Sequence, residues 1–273
     1  LRLSREHASS IKWARGQRIR SVLNDRRLLC RIVVTSRAVL DAGPARVRID
    51  RPPARWPAEE REILDESERS KRLQNVYSAR DNRELASSYD EWAEDYEDDM
   101  LSLGYAIPAV AAGFVGRYVP LRGTVLDAGA GTGLFGSILR VLGYEDLVGI
   151  DISERMLEKA GEKDVYRGLH RMVLGEPLGF EGGSFSAAVC VGVFTTNHAP
   201  PEALDELVRV VEPDGWVIFS VRDDVYRKEG FEEKQASLEK EGRWRRVTMS
   251  EAFQPFPAGN TSHMARLFVY KTG

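Results

Sequence analysis

Two aspartates, Asp127 and Asp151, and the glycines Gly129, Gly131 and Gly133 between them carry the most specific chemistry in this chain. The run from Thr124 to Gly133 reads Thr-Val-Leu-Asp-Ala-Gly-Ala-Gly-Thr-Gly. An acid at the end of a strand is a counter-charge for an ammonium group and repels a phosphate held in the same cleft. Glycines after it allow positive φ and a close approach of backbone to ligand. A second carboxylate can accept hydrogen bonds from both hydroxyls of a vicinal diol. The ligand implied is cationic at one end and ribose-like at the other.

The elements that must position these groups are strand ends. Val125 and Leu126 suit a buried parallel strand, and Leu134, Phe135, Ile138, Leu139, Val141 and Leu142 then follow helical spacing. Asp146 to Asp151 reads as a second buried strand ending in an acid, so both aspartates stand where open α/β sheets bind ligands. A competing frame, Gly131-x-Gly133-x-x-Gly136 with Asp151 20 residues after Gly131, matches a dinucleotide pattern. Asp127 argues against a pyrophosphate there, and none of the nine tyrosines has Lys four residues on, as many NAD(P)-dependent oxidoreductases would. The structural alternatives are that each aspartate merely caps the helix after it. S-adenosylmethionine unites an ammonium with a ribose diol and meets both acids; Asp127 would neutralise its ammonium and Asp151 would hold its ribose.

The 273 residues, 42% hydrophobic, suffice for a large core. Cys30 and Cys190 are too few for a disulfide framework and point to a reducing compartment, and no apolar run approaches the ~20 residues of a membrane span. Residues 1–58 hold 14 Lys and Arg against 4 Asp and Glu, whereas the remainder holds 25 against 38. An acidic body is poorly suited to grip a phosphate backbone, so nucleic acid is disfavoured as a partner. The segment 1–58 is read as an Arg-rich disordered extension, with a mitochondrial transit segment and a basic arm as alternatives. Residues 59–118 are read as N-terminal helices forming a lid, and 119–273 as the ligand-binding core.

Residues 58–75 alternate acids and bases as a solvated helix does. Tyr89, Trp92, Tyr96 and Met100 then fall along one helical face, to be buried in a core or laid over a cleft. A helix over 105–118 follows. Strands are expected at 169–174, 186–194 and 216–221, with a helix over 201–211 and a turn at Glu212-Pro213-Asp214-Gly215. A polar helix near 229–241 leads to segments 244–253 and 264–271, which can pair antiparallel. The alternation implies a doubly wound, mostly parallel α/β sheet.

Val125 to Gly133, Val148 to Asp151 and Leu207 to Gly215 resemble the successive motifs of the class I S-adenosylmethionine-dependent methyltransferases. Tyr89-Asp90-x-Trp92-Ala93-x-x-Tyr96, Val173 to Leu178 and Val191 to Phe194 look more closely like the methyltransferase-like proteins of the Williams–Beuren syndrome region. The similarity covers roughly residues 75–225. It implies a Rossmann-like seven-stranded sheet with an antiparallel last strand and S-adenosyl-L-methionine as cofactor. The cofactor would be held by Asp127, Ala128, Gly129, Gly131, Thr132 and Gly133 at the turn and by Asp151 and Ile152 at the second strand end. Trp92 and Tyr96 would lie over it, with Met156 on the adenine and Val191 nearby. Leu174 and Gly175 stand where many members carry an Asp for the adenine amino group, so that recognition would rest on backbone and apolar packing. Ser186 likewise replaces a common Asp after Phe185.

Methyl transfer needs alignment and exclusion of water more than a catalytic triad. The loop Thr195 to Pro201 sits where the methyl group would emerge, which makes Tyr89, Asn197 and His198 the candidates for contact with the acceptor, although a loop histidine often only bonds to backbone. The four histidines show no metal-ligand spacing, so no metal is expected. Arg243, Trp244, Arg245 and Arg246 read as a strand edge. The acceptor is expected to be a small molecule or a protein, the chain a monomer, and its location cytoplasmic, or mitochondrial if the first segment is a transit peptide. A cofactor-binding adaptor without turnover is the non-enzymatic alternative.

Overall fold

The computed structural model describes residues 66–259 and 262–273; the Arg-rich segment 1–58, Cys30 and the start of the charged stretch 58–75 lie outside the described residues. Seven strands form one sheet in the order β3-β2-β1-β4-β5-β7-β6. They are β1 (Val125–Ala128), β2 (Leu147–Asp151), β3 (Gly168–Arg171), β4 (Phe185–Phe194), β5 (Val211–Arg222), β6 (Trp244–Met249) and β7 (Ala265–Thr272). Pairing is parallel from β3 through β5, and β7 runs antiparallel to both β5 and β6. The expected antiparallel last strand is present.

Both faces of the sheet are covered, which is why β1 is buried at every position. Leu126, Ala128, Ala188 and Cys190 point to one face, under α7 (Ala203–Val210) and α9 (Phe231–Lys240). Val125, Ala187 and Val189 point to the other, under α4 (Ile107–Tyr118) and α5 (Leu134–Leu142). The remaining helices among the described residues are α1 (Glu66–Tyr77), α2 (Asn82–Trp92), α3 (Tyr96–Leu103), α6 (Glu154–Gly161) and the single turn α8 (Asp223–Tyr226). Among the described residues no single helix is long and apolar enough to cross a membrane.

Four local expectations change. The third strand stops at Arg171, and 172–174 leaves the sheet edge after Met172 N donates to Asp151 O at 3.0 Å. The turn at 212–215 lies inside β5: Phe185 pairs with Val211 but Ala187 with Trp216, and Asp214 takes a positive φ of 63° to absorb the extra residues. In α5 only Phe135, Gly136 and Leu139 are buried, and Val141 is exposed. Trp244 is separated from its arginine neighbours by burial; it stacks on Tyr270 with centroids 3.9 Å apart.

The largest change concerns the aromatic face. Spacing predicts one helix from Tyr89 to Met100, but the chain breaks after Trp92 and restarts at Tyr96. A continuous helix would place Glu94, Asp95, Glu97, Asp98 and Asp99 toward the negative end of its dipole. Restarting at Tyr96 puts the last three in a first turn, where carboxylates are stabilised. Asp99 is also fixed by tertiary partners, Trp92 Nε1 at 2.8 Å, Arg72 at 2.9 Å and Arg69 at 3.3 Å. These arginines, with Leu73 packed on the same cluster, correct the reading of 58–75 as wholly solvated. Trp92 and Met100 are buried with Val76, Leu85 and Phe256 in a small core of their own, with Tyr89 and Tyr96 at its margin. Helix α4, expected with the lid, packs on the sheet instead.

Candidate functional site

A cleft lies at the carboxyl ends of β1, β2 and β4, beneath α2 and α3. This is where strand order reverses, with β1 between β2 and β4. Its floor is main chain. Gly129 N and Ala130 N both donate to Ile150 O, at 2.8 and 2.9 Å, which locks the turn to β2. Gly129 has φ 84°, and a Cβ there would stand inside Val193. Gly131, φ 53°, has nothing within 4 Å of where its Cβ would be. Packing does not demand a glycine at 131; its missing side chain leaves the cleft floor open.

Asp151 joins that floor. Its Oδ2 accepts from Gly131 N at 2.8 Å and its Oδ1 from Ser153 N at 2.9 Å. Each oxygen retains a lone pair, enough for two hydroxyls. Burial raises its pKa, against the pull of the Ser153, Gly131 and Ile152 amides. The cap of α6 is not Asp151 but Ser153, whose Oγ accepts from Met156 N at 3.1 Å.

Asp127 is not among the residues that line the cleft. It is 1% exposed and accepts a 2.6 Å hydrogen bond from Tyr166 Oη. Burial pushes its pKa up to about 7, with the Tyr166 bond acting in the opposite direction. Tyr166 reaches it through a lane of glycines: a Cβ at Gly136 would stand inside the phenol, and Cβ atoms at Gly133 and Gly149 would press on the ring at 3.1 and 3.2 Å. The third glycine of the dinucleotide-like frame therefore makes room for a tyrosine. Tyr166 has no local signal in the sequence, but Gly136 inside a helix marks that something comes close.

The roof is made of side chains. Tyr89 and Tyr96 line the cleft together with Asn82 and Leu85. His198, from the loop after β4, meets them: its Nδ1 lies 2.7 Å from Thr196 O, and its Nε2 2.8 Å from Tyr89 Oη. A carbonyl oxygen only accepts, so Nδ1 carries the hydrogen and Tyr89 donates to the bare Nε2. Burial holds the His198 pKa down to about 4, so the ring is neutral at pH 7. The roof is pinned to the core by its acids. Asp90 Oδ1 accepts from Ser153 Oγ at 2.6 Å and Arg155 N at 3.1 Å, adding itself to the cap of α6. Glu97 takes Thr132 Oγ1 at 2.6 Å and pairs with Lys163 at 2.8 Å.

A family profile described as a methyltransferase domain matches residues 126–219, the segment that carries this floor. That segment is thus similar to the methyltransferase domains the profile describes. The human methyltransferase-like protein 27 is 35% identical over 163 residues, which are 57% of this chain and 66% of that protein. A ubiquinone biosynthesis O-methyltransferase from Chromobacterium violaceum is 28% identical over 47% of this chain and 56% of its own length. The chain thus spans between half and two thirds of the curated relatives it matches. Among solved structures, a Thermotoga maritima SAM-dependent methyltransferase, a possible histamine N-methyltransferase, is 18% identical with a TM-score of 0.48 over 68% of this chain and 98% of that one.

Of the residues singled out from the sequence, Tyr89, Tyr96, Gly129, Gly131, Asp151, Ile152, Met156, Leu174, Val191 and His198 line the cleft. The others lie elsewhere. Trp92 is 2% exposed in the small core, bonded to Asp99. Ala128 is buried within β1, and Thr132 is turned to Glu97. Gly133 is the left-handed N-cap of α5, and Gly175 is exposed at φ 104° against Pro200. Asn197 donates its amide to Tyr77 O at 2.6 Å and holds a positive φ of 59°, so it fixes the loop rather than facing the cleft. Met172, Val173, Gly192 and Ala199 also line the cleft and were not foreseen, because each takes its place through the path of a loop or a bent strand end.

Proposed function

We propose that this chain binds S-adenosyl-L-methionine in the cleft and transfers its methyl group to a small-molecule or protein acceptor. The observation that carries the reading is Asp151: a carboxylate held by two backbone amides at the end of β2, with acceptor capacity left over, beside a glycine floor open at Gly131. The methyltransferase domain matched over 126–219 supports it. The residues fit the cofactor in chemistry. Asp151 would take the ribose hydroxyls, and the turn amides near Gly129 and Gly131 would face the amino-acid carboxylate. Met156, Leu174 and Ile152 offer an apolar slot to the adenine. Asp127, bonded to Tyr166, would act through the shape of the turn instead of meeting the ammonium directly.

When bound, the cofactor supplies an electrophilic methyl carbon on sulfur. The chain's own work is to exclude water and hold an acceptor in line. Tyr89 donates a hydrogen bond to His198 Nε2, which leaves the phenol oxygen free to accept one from an incoming hydroxyl or amine. The test is calorimetric titration of the full chain with S-adenosylmethionine, S-adenosylhomocysteine and NADH. Binding of the first two without the third is expected; NADH binding with no response to S-adenosylhomocysteine would overturn the reading.

A further inference from the structure

Next to the cleft lies a second, smaller chamber. The two share Tyr89, Tyr96 and Gly192 as a common wall. Beyond that wall the chamber is lined by rings from both layers, chiefly Tyr77, Trp92, Tyr105, Phe194 and Phe256. Gly192 is essential to the junction: it has φ 77°, and a Cβ there would stand inside the Tyr105 hydroxyl.

The charge of the chamber is as informative as its rings. Among the described residues its lining has no carboxylate, and the one charged side chain is Arg222. That charge is already met. Asp224 takes Arg222 Nε at 2.6 Å and Nη2 at 2.7 Å, Thr196 Oγ1 accepts from Nη2 at 2.5 Å, and the guanidinium carbon lies 4.7 Å from the Tyr77 ring centre. A lysine side chain or other cation would find no counter-charge inside, and an anion would have to compete with Asp224. A flat uncharged ring would find π faces and edges on several sides. Its polar contact is set at the shared wall, where the Tyr89 oxygen donates toward His198 and keeps its own lone pairs for a donor on the occupant.

We propose that this second chamber seats the methyl acceptor, and that the acceptor is an uncharged aromatic small molecule presenting an aryl hydroxyl or aryl amine to Tyr89. The assignment rests on the methyltransferase reading above. The step balances without a further reagent. A lone pair on the aryl oxygen or nitrogen forms the bond to the methyl carbon, and the carbon–sulfur pair stays on sulfur as the thioether. The proton shed by the acceptor passes to Tyr89 Oη as the Tyr89 proton moves to His198 Nε2, and then to water.

The experiment uses the full chain saturated with S-adenosylhomocysteine and four probes: 2-naphthol, 2-naphthylamine, decahydro-2-naphthol and a lysine-containing peptide. Binding is read by calorimetry and ligand-observed NMR, and methylation separately with labelled S-adenosylmethionine. The aryl probes are expected to bind at least tenfold more tightly than the saturated alcohol and the peptide, and the methylated aryl product shows whether oxygen or nitrogen is the acceptor atom. Leu73 lines this chamber and not the cleft, so Leu73→Trp should weaken the aryl probes by tenfold or more while S-adenosylhomocysteine affinity holds. Tyr89→Phe should weaken 2-naphthol several-fold in the same binding assay. Equal aryl affinity in wild type and Leu73→Trp, or preference for the peptide, overturns the acceptor assignment while cofactor binding stands. Failure of S-adenosylhomocysteine itself to bind overturns the methyltransferase reading, and the chamber's role with it.

Discussion

The floor and the roof of the cleft are built from different interactions. The floor is backbone: Gly129, Ala130 and Gly131 donate their amides to Ile150 O and Asp151, between two buried apolar layers. The roof is side chain: Asp90, Glu97 and Asn197 each reach across to the other layer, and every one of those bonds is at least partly exposed. Backbone bonds inside a sheet persist as long as the sheet does. Bonds between partly exposed carboxylates and a hydroxyl or an ammonium can open locally and are screened by salt. The floor is therefore set on folding, and the roof is the part that can lift to admit ligands.

Substitutions at the floor should be the most damaging. Gly129→Ala forces a Cβ into Val193 at a positive φ, and the expected loss is about 3 kcal/mol in chemical denaturation, with cofactor binding abolished. A loss under ~1 kcal/mol would mean the floor is softer than its hydrogen bonds suggest. Next is the pH response of Asp127. Its pKa is about 7 when folded against 3.8 for the free side chain, so folding takes up a proton between those values and this group favours the folded state less as pH rises through the window. His198, about 4 against 6.5, acts in the opposite sense and loses stability as pH falls, so the two partly cancel. The informative quantity is the difference between variant and wild type: Asp127→Asn should gain relative stability from pH 4 to 7, by up to about 1.4 kcal/mol per pH unit.

Asp151→Ala should weaken S-adenosylhomocysteine binding by more than ~1 kcal/mol, as the loss of charge-assisted hydrogen bonds requires, and unchanged affinity in calorimetry would remove the ribose role. At the roof, Asp90→Ala should cost only about 1 kcal/mol, the size of a lost cap. Hydrogen exchange should then quicken in α2 and α3 while β1 and β4 stay protected. Uniform quickening across both would show that roof and floor open as one unit.

The floor was legible in the sequence because its determinants are local. An acid, alternating glycines and a buried strand are neighbours in the chain, and Gly129, Gly131 and Asp151 stand where their spacing placed them. The roof was legible only in part. The aromatic spacing of Tyr89, Trp92, Tyr96 and Met100 was real, but it served both readings at once: Trp92 and Met100 went to a core, Tyr89 and Tyr96 to the cleft. What divides them is the break after Trp92, beside which Asp99 meets partners, Arg69 and Arg72, that are remote in the chain.

Asp127 marks the boundary most sharply. By type and position it was a counter-charge for a ligand, and nothing nearby in the chain says otherwise. Tyr166 is 39 positions away, and it meets that carboxylate through space left by three glycines, two at the start of α5 and one on β2. The sequence alone determined the strand–turn–helix unit, the doubly wound order and the two acids at adjacent strand ends, because periodicity and glycine conformation act over a few residues. Only the tertiary structure decided which acid faces the cleft, which aromatic rings stay available and that a second chamber adjoins the first. Those depend on burial and on partners brought together from separate elements, and no local pattern encodes them.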